Sequence, residues 1–152
     1  MIRVHCALGI SAMTRVEGWG ELIDVLPEYL TRSRVVALGE VGLDPGQYFG
    51  FGWPLEDQAE CLEAQARIAA ELELPLILHT PTYKNPKEFL GGVDTQEDVA
   101  PDDFRLHYLK KDMEFVDRAG LDQSVLVVDH VDETIVDFVH EHTGAWCATS
   151  LG

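Results

Sequence analysis

The chain has 152 residues, 46% hydrophobic and 25% charged, the composition of one ordinary globular domain rather than a disordered or fibrous chain. No apolar run reaches the roughly 20 residues needed to span a bilayer, and MIRVHCALGI at the start lacks the pattern of a signal peptide, so a soluble, cytoplasmic protein with no membrane partner is expected. Acids outnumber bases 27 to 11, for a net charge of −16, which disfavours nucleic acid as a partner at ordinary salt and matches the acid-rich, lysine-poor surfaces of proteins from high-salt cytoplasm, where salt screens the self-repulsion.

Taken in chain order, strand and helix patterns alternate. Ile2 to Leu8 reads as a short strand, and Trp19 to Leu30 as a helix carrying Trp19, Leu22, Ile23, Leu26 and Leu30, with Pro27 blurring its end. Val35 to Gly39 is a strand apolar on both faces. The segment DPGQYFGFGWP that follows is an irregular loop. Leu55 to Glu73 is a helix whose stripe is Leu55, Ala59, Leu62, Ala66 and Ala69. Leu74-Pro75 ends it, and Leu76 to His79 is the third strand. Residues 80–101 form a long polar loop, a length often tied to function. A helix from about Asp102 to Ala119 is capped by Gly120. Ser124 to His130 is the fourth strand, Asp132 caps a helix to His142, and Gly144 to Ser150 is the fifth strand.

Five buried strands separated by four helices imply an α/β fold of parallel β/α units. No domain boundary or repeat interrupts it, so residues 1–152 are expected to be a single domain. Cys6, Cys61 and Cys147 show neither CxxC nor zinc-ribbon spacing, so all three are expected to be buried free thiols in a reducing compartment.

Three strands end in the same way: VVALGE in Glu40, LPLILH in His79 and SVLVVDH in His130. A carboxylate at the end of a buried strand is costly unless paired. In parallel α/β folds the carboxyl ends of the strands share one rim, where sites are built. Glu40, His79 and His130 are therefore predicted to converge there and bind a divalent metal, since imidazoles and a carboxylate are its natural donors. Gly39 and Gly42 would let the backbone approach closely, and Asp44 could orient a ligand or a bound water from behind.

Taken singly, each residue has a blander reading. Either histidine could be a hydrogen-bonded structural residue, and Glu40 could meet Arg32 or Arg34, although those precede the strand. Asp129 should point away from the His130 side chain. His5 lies early in its strand, His107 is mid-helix, and His140 and His142 close a helix, where a cation suits the dipole. No GxSxG elbow, P-loop or GxGxxG is present, GEVG has too few glycines to cradle a phosphate, and nothing activates Thr149 or Ser150.

With these residues in place the chain resembles the TatD-type metal-dependent hydrolases of the amidohydrolase superfamily. ALGEVGLD matches that family's Gly-Glu-Ile/Thr-Gly-Leu-Asp segment, QAECLEAQARIAAELELPLILHT matches its Gln-rich helix and strand-ending histidine, and VVDHVDE falls where the next such histidine is expected. The resemblance implies a TIM (β/α)8 barrel, which typically needs about 250 residues, so this chain would form part of one, an incomplete barrel domain. It implies Glu40 as bridging carboxylate, His79 and His130 as metal ligands, and Glu40 and Asp44 as the catalytic carboxylates. The cofactor implied is a divalent ion (Zn, Mg or Mn), and the reaction is attack of metal-activated water on a phosphoester, as in deoxyribonucleases of the family. The family's His-x-His pair and its late aspartate have no counterpart here, and GISA carries Ser11 where a histidine is common. Two alternatives stand beside this reading. One is an amide, ester or lactone hydrolase, against whose lysine-bridged branch Glu40 itself speaks. The other is a catalytically silent barrel fragment, a homo-oligomer joined through exposed strand edges.

Overall fold

The computed structural model describes residues 4–13, 16–46, 53–82 and 104–149. Among them are five strands and four α-helices in strict alternation: β1 (Cys6–Leu8), α1 (Trp19–Leu30), β2 (Val35–Val41), α2 (Leu55–Glu71), β3 (Leu76–Leu78), α3 (Phe104–Ala119), β4 (Leu126–Val128), α4 (Glu133–His142) and β5 (Trp146–Cys147). A short 3-10 turn, Gln123–Val125, leads into β4. The strands lie in one sheet in the order of the sequence, β1-β2-β3-β4-β5, and every neighbouring pair is parallel. A doubly wound sheet reverses its strand order at a switch point. This one does not, and an in-order parallel sheet is the wall of a (β/α) barrel.

The expected α/β class is therefore observed, and so are its five strands and four helices. The bounds differ in instructive ways. Helix α1 runs through Pro27 to Leu30, and Asp132 accepts a hydrogen bond from the Ile135 N–H as the cap of α4. Strand β2 continues to Val41, so Glu40 lies within it rather than just beyond its end. The remaining strands are two or three residues long, and β3 and β4 end where His79 and Asp129 begin a polar stretch. Residues 47–52 of the aromatic-rich loop, and residues 83–101 of the long polar one, lie outside the described residues.

The sheet is covered by a layer of helices. Leu38, Leu76, Leu78, Leu126 and Val128 pack with Leu62 and Ala66 of α2, Leu109 and Val116 of α3, and Ile135 and Val139 of α4 in one apolar cluster. Because strand side chains alternate between faces, Leu76 and Leu78 towards the helices place Ile77 and His79 on the opposite face.

Strand β2 breaks that alternation. Its register runs Leu38 to Leu76, Gly39 to Ile77, then Val41 to Leu78, so Glu40 is an extra residue with no partner across the ladder. Such a bulge re-aims side chains. It lets Val41 join Leu38 in the helix-facing core and leaves Glu40 on the face of His79. Strict alternation would instead bury Glu40 under the helices.

The cysteine expectation is corrected. Cys61 is buried on α2, where burial pushes its thiol up to about 12 against a Gln65 hydrogen bond, but Cys6 and Cys147 are exposed. Those two lie on β1 and β5, the edge strands of the sheet, where nothing among the described residues packs beyond them. Exposed Trp146, at 69%, shares that edge position. Among the described residues no helix is long and apolar enough to cross a membrane.

Leu109 is fully buried between α3 and the sheet, so Leu109→Ala should lower the free energy of unfolding by about 2–5 kcal/mol. Val36→Ala, at a half-exposed position, should change it by about 0.5 kcal/mol or less. Urea denaturation of the two variants checks the difference.

Candidate metal centre

The register explains why three distant residues meet. Val41, Leu78, Val128 and Cys147 lie in one row across the sheet, and the backbone N–H groups of His79 and Asp129 extend it by donating to the carbonyls of Val41 (2.7 Å) and Leu78 (2.8 Å). Glu40 stands one residue before this row, His79 one after it and His130 two after it, so the three flank the carboxyl edge of the sheet. Their metal-capable atoms all lie within 4.8 Å of one another.

Glu40 is the hub. Its Oε1 lies 3.2 Å from His79 Nδ1 and 2.8 Å from His130 Nε2, and the two imidazoles meet edge to face with ring centres 5.0 Å apart. Arg32 instead lies beside Glu28 on the surface. On its far side His79 places Nε2 2.8 Å from Asp44 Oδ2, so a fully buried imidazole is held between two carboxylates. Asp44 is equally buried. It sits behind His79, and its Oδ1 accepts the Gly46 N–H at 2.8 Å.

Close approach at this rim depends on glycine. A Cβ on Gly39 would fall 2.7 Å from the Ile77 Cβ, and one on Gly42 would fall 2.7 Å from the His79 carbonyl oxygen, where φ is +155°. Asp129 accepts the His130 N–H on its Oδ1 at 2.7 Å, so it supports the backbone of His130.

The electrostatics follow from burial against pairing. Burial alone would raise the Glu40 carboxyl, but hydrogen bonds and charge from His79 and His130 prevail and hold it below its usual range. Burial alone would lower His79, but hydrogen bonds and charge from Asp44 and Glu40 prevail and lift it to about 9. His79 first and His130 second are thus what compensate Glu40.

Several supporting residues were not apparent from the sequence. Gln58 of α2 accepts the Asp44 N–H on Oε1 (2.7 Å) and donates through Nε2 to the carbonyls of Asp44 and Trp53 (2.9 Å each). Seven residues on, Gln65 grips Ile10 in the same way, accepting its N–H (2.7 Å) and donating to its carbonyl (3.1 Å). Two amides one heptad apart on the buried side of α2 were the available sign. Asp112 of α3, fully buried, accepts the Leu43 N–H at 3.0 Å. Burial pushes its carboxyl well above the usual range, against the pull of His79 and the Leu43 N–H.

An in-order parallel β/α sheet with a carboxylate and two imidazoles at its carboxyl edge defines a (β/α) domain with three side chains that could hold a metal ion. Comparison with known proteins narrows it: residues 2–126 match the model of the TatD related DNase family, and the chain belongs to that family. It is 28% identical over 138 residues to a protein of Methanocaldococcus jannaschii described as an uncharacterized metal-dependent hydrolase, a match covering 91% of this chain and 44% of that protein. Among solved structures it is similar to a TatD-like protein from Archaeoglobus fulgidus, with a TM-score of 0.65 and 23% identity, over 97% of this chain and 49% of that one. The chain thus spans about half the length of the relatives it matches.

Because the folded pKa of His79 is raised from about 6.5 to about 9, its contribution to stability is fully present below about pH 6.5 and is lost as pH rises through about 9. The urea midpoint of the metal-free protein should therefore fall from pH 6.5 to 9.5. The same titration of His79→Gln should show a shallower fall.

Proposed function

We propose that this chain carries the metal-gripping part of a hydrolase, in which Glu40, His79 and His130 hold a divalent cation at the mouth of the sheet and the substrate is a phosphoester. The convergence of three donor atoms within 4.8 Å, from three separate strand ends, carries this reading. The donor set fits the group: two imidazoles and a carboxylate suit Zn or Mn, and a carboxylate with several waters suits Mg.

Once His79 has given up its extra proton, Asp44 would keep the remaining one on Nε2 and so leave Nδ1, on the Glu40 side, free to hold a cation. His130 would bind through Nε2, and Glu40 through Oε1, the atom both histidines already approach. A bound cation supplies Lewis-acid polarisation of the phosphoryl group and a lowered pKa for water. The proton that His79 holds in the metal-free protein must leave first, so binding releases a proton and strengthens with pH towards about 9. Asp44, buried behind His79, takes a supporting part in catalysis by keeping that ring basic and aligned.

Among phosphoesters, the net charge of −16 favours small diesters over tight binding of DNA at ordinary salt. The same acid-rich composition supports a high-salt cytoplasm as the working environment. In calorimetric titration with Zn or Mn, Glu40→Gln should weaken binding at least about tenfold, whereas His107→Gln, on α3 away from the cluster, should leave it unchanged. Equal effects of the two would overturn the ligand assignment. Turnover of a chromogenic phosphodiester should depend on added metal and vanish in Glu40→Gln; turnover of an ester or lactone instead would move the substrate class.

A second reading is favoured by the exposed apolar side chains Leu8 of β1 and Trp146 of β5 on the two edge strands: edges of two copies pair. Light scattering should then give a mass above that of one chain, rising with concentration, and a single-chain mass at every concentration would exclude it.

A further inference from the structure

We propose that Arg105 is a positioning residue for the metal centre, a buried guanidinium that ties the ends of β3 and β4 together and keeps His130 facing Glu40. The inference rests on reading Glu40, His79 and His130 as the metal ligands.

Arg105 stands in the first turn of α3, with its side chain 10% exposed. Each of its three nitrogens is engaged. Nε donates to the Pro81 carbonyl at 2.6 Å, Nη1 pairs with Asp132 Oδ2, and Nη2 donates to the His130 carbonyl and lies 3.4 Å from Thr80 Oγ1. Pro81 and Thr80 directly follow His79, and Asp132 caps α4 two residues after His130. Thr80 completes the tie: its hydroxyl lies 2.7 Å from the Asp129 carbonyl and 3.1 Å from the His130 carbonyl.

His130 needs such a tie. Its φ is +58°, in the left-handed region that residues with a Cβ rarely adopt. A disfavoured conformation persists only where its surroundings over-determine it. Here the His130 N–H is held by Asp129, its carbonyl by Arg105 and Thr80, and its ring by Glu40. The N–H and ring contacts are local or belong to the site itself. The Arg105 contact refers His130 to the helix layer, and it anchors the loop after His79 with the same fork. Lysine has one nitrogen on a flexible stem and cannot reproduce that fork.

The test compares Arg105→Met and Arg105→Lys with Met113→Ala, which removes core packing from the same helix. In the metal-free protein, NMR should detect contact between the His79 and His130 ring protons, given ring centres 5.0 Å apart. Arg105→Met should lose this contact and bind Zn at least about tenfold more weakly, while Met113→Ala lowers Tm and keeps both. Arg105→Lys, which retains charge and stem if the methionine variant does not fold, should bind Zn at least about threefold more weakly. An Arg105 variant that keeps the ring contact and binds Zn within twofold of the wild type overturns the proposal, whatever its Tm. If Glu40→Gln binds Zn as the wild type does, the metal assignment falls, and the ring contact in Arg105→Met still decides the tie.

Discussion

The site depends on one interaction, a fully buried imidazole between two carboxylates. His79 meets Glu40 with one ring nitrogen and Asp44 with the other. His79 and Asp44 are fully buried and Glu40 partly so, and an isolated charge in such surroundings is costly unless it is paired and hydrogen-bonded. Their mutual compensation holds Glu40 below its usual pKa and His79 above its own. It also sets the demands on the surroundings: the Asp44 backbone must be satisfied, and Gln58 satisfies both its N–H and its carbonyl.

Two helices divide the work of support. Helix α2 serves the ends of β1 and β2 through paired amides, Gln65 on Ile10 and Gln58 on Asp44. Helix α3 shares the exit of β2, with Asp112 on Leu43, and serves those of β3 and β4, with Arg105 on Pro81 and His130. Trp53 adds a further link, its indole N–H donating to the Ala12 carbonyl at 2.7 Å. The polar residues at the rim are therefore referred to the helix layer rather than to one another alone. That suits a centre whose donor atoms must stay in place with or without a cation.

The alternation of β and α was legible because the strands are short apolar runs between helix-spaced patterns, and Glu40, His79 and His130 stood out because three of those runs close on a polar residue. What the strand pattern could not reveal is the extra residue in β2. Period-two reasoning turns Glu40 towards the helices, and only the observed skip between Gly39 and Val41 restores it to the face of His79. The cysteines illustrate a different gap: Cys6 and Cys147 sit in apolar contexts, yet burial depends on what lies beyond an edge strand, which local context does not report. Arg105, Asp112 and the two glutamines were missed because each acts on a backbone group distant in sequence, and a polar residue on a helix reads as solvent-facing until its partner is known.

The bulge also bears on how such a domain can change over generations. Removing the Glu40 codon would leave Gly39 paired with Ile77 and Val41 with Leu78, an unbroken ladder over an intact apolar layer, yet it would take away the carboxylate that both histidines approach. The fold and the Glu40-His79-His130 cluster are thus separable here by a single-residue deletion. A descendant could lose its carboxylate while keeping its shape, and the length of this one strand would be the place to look for that loss.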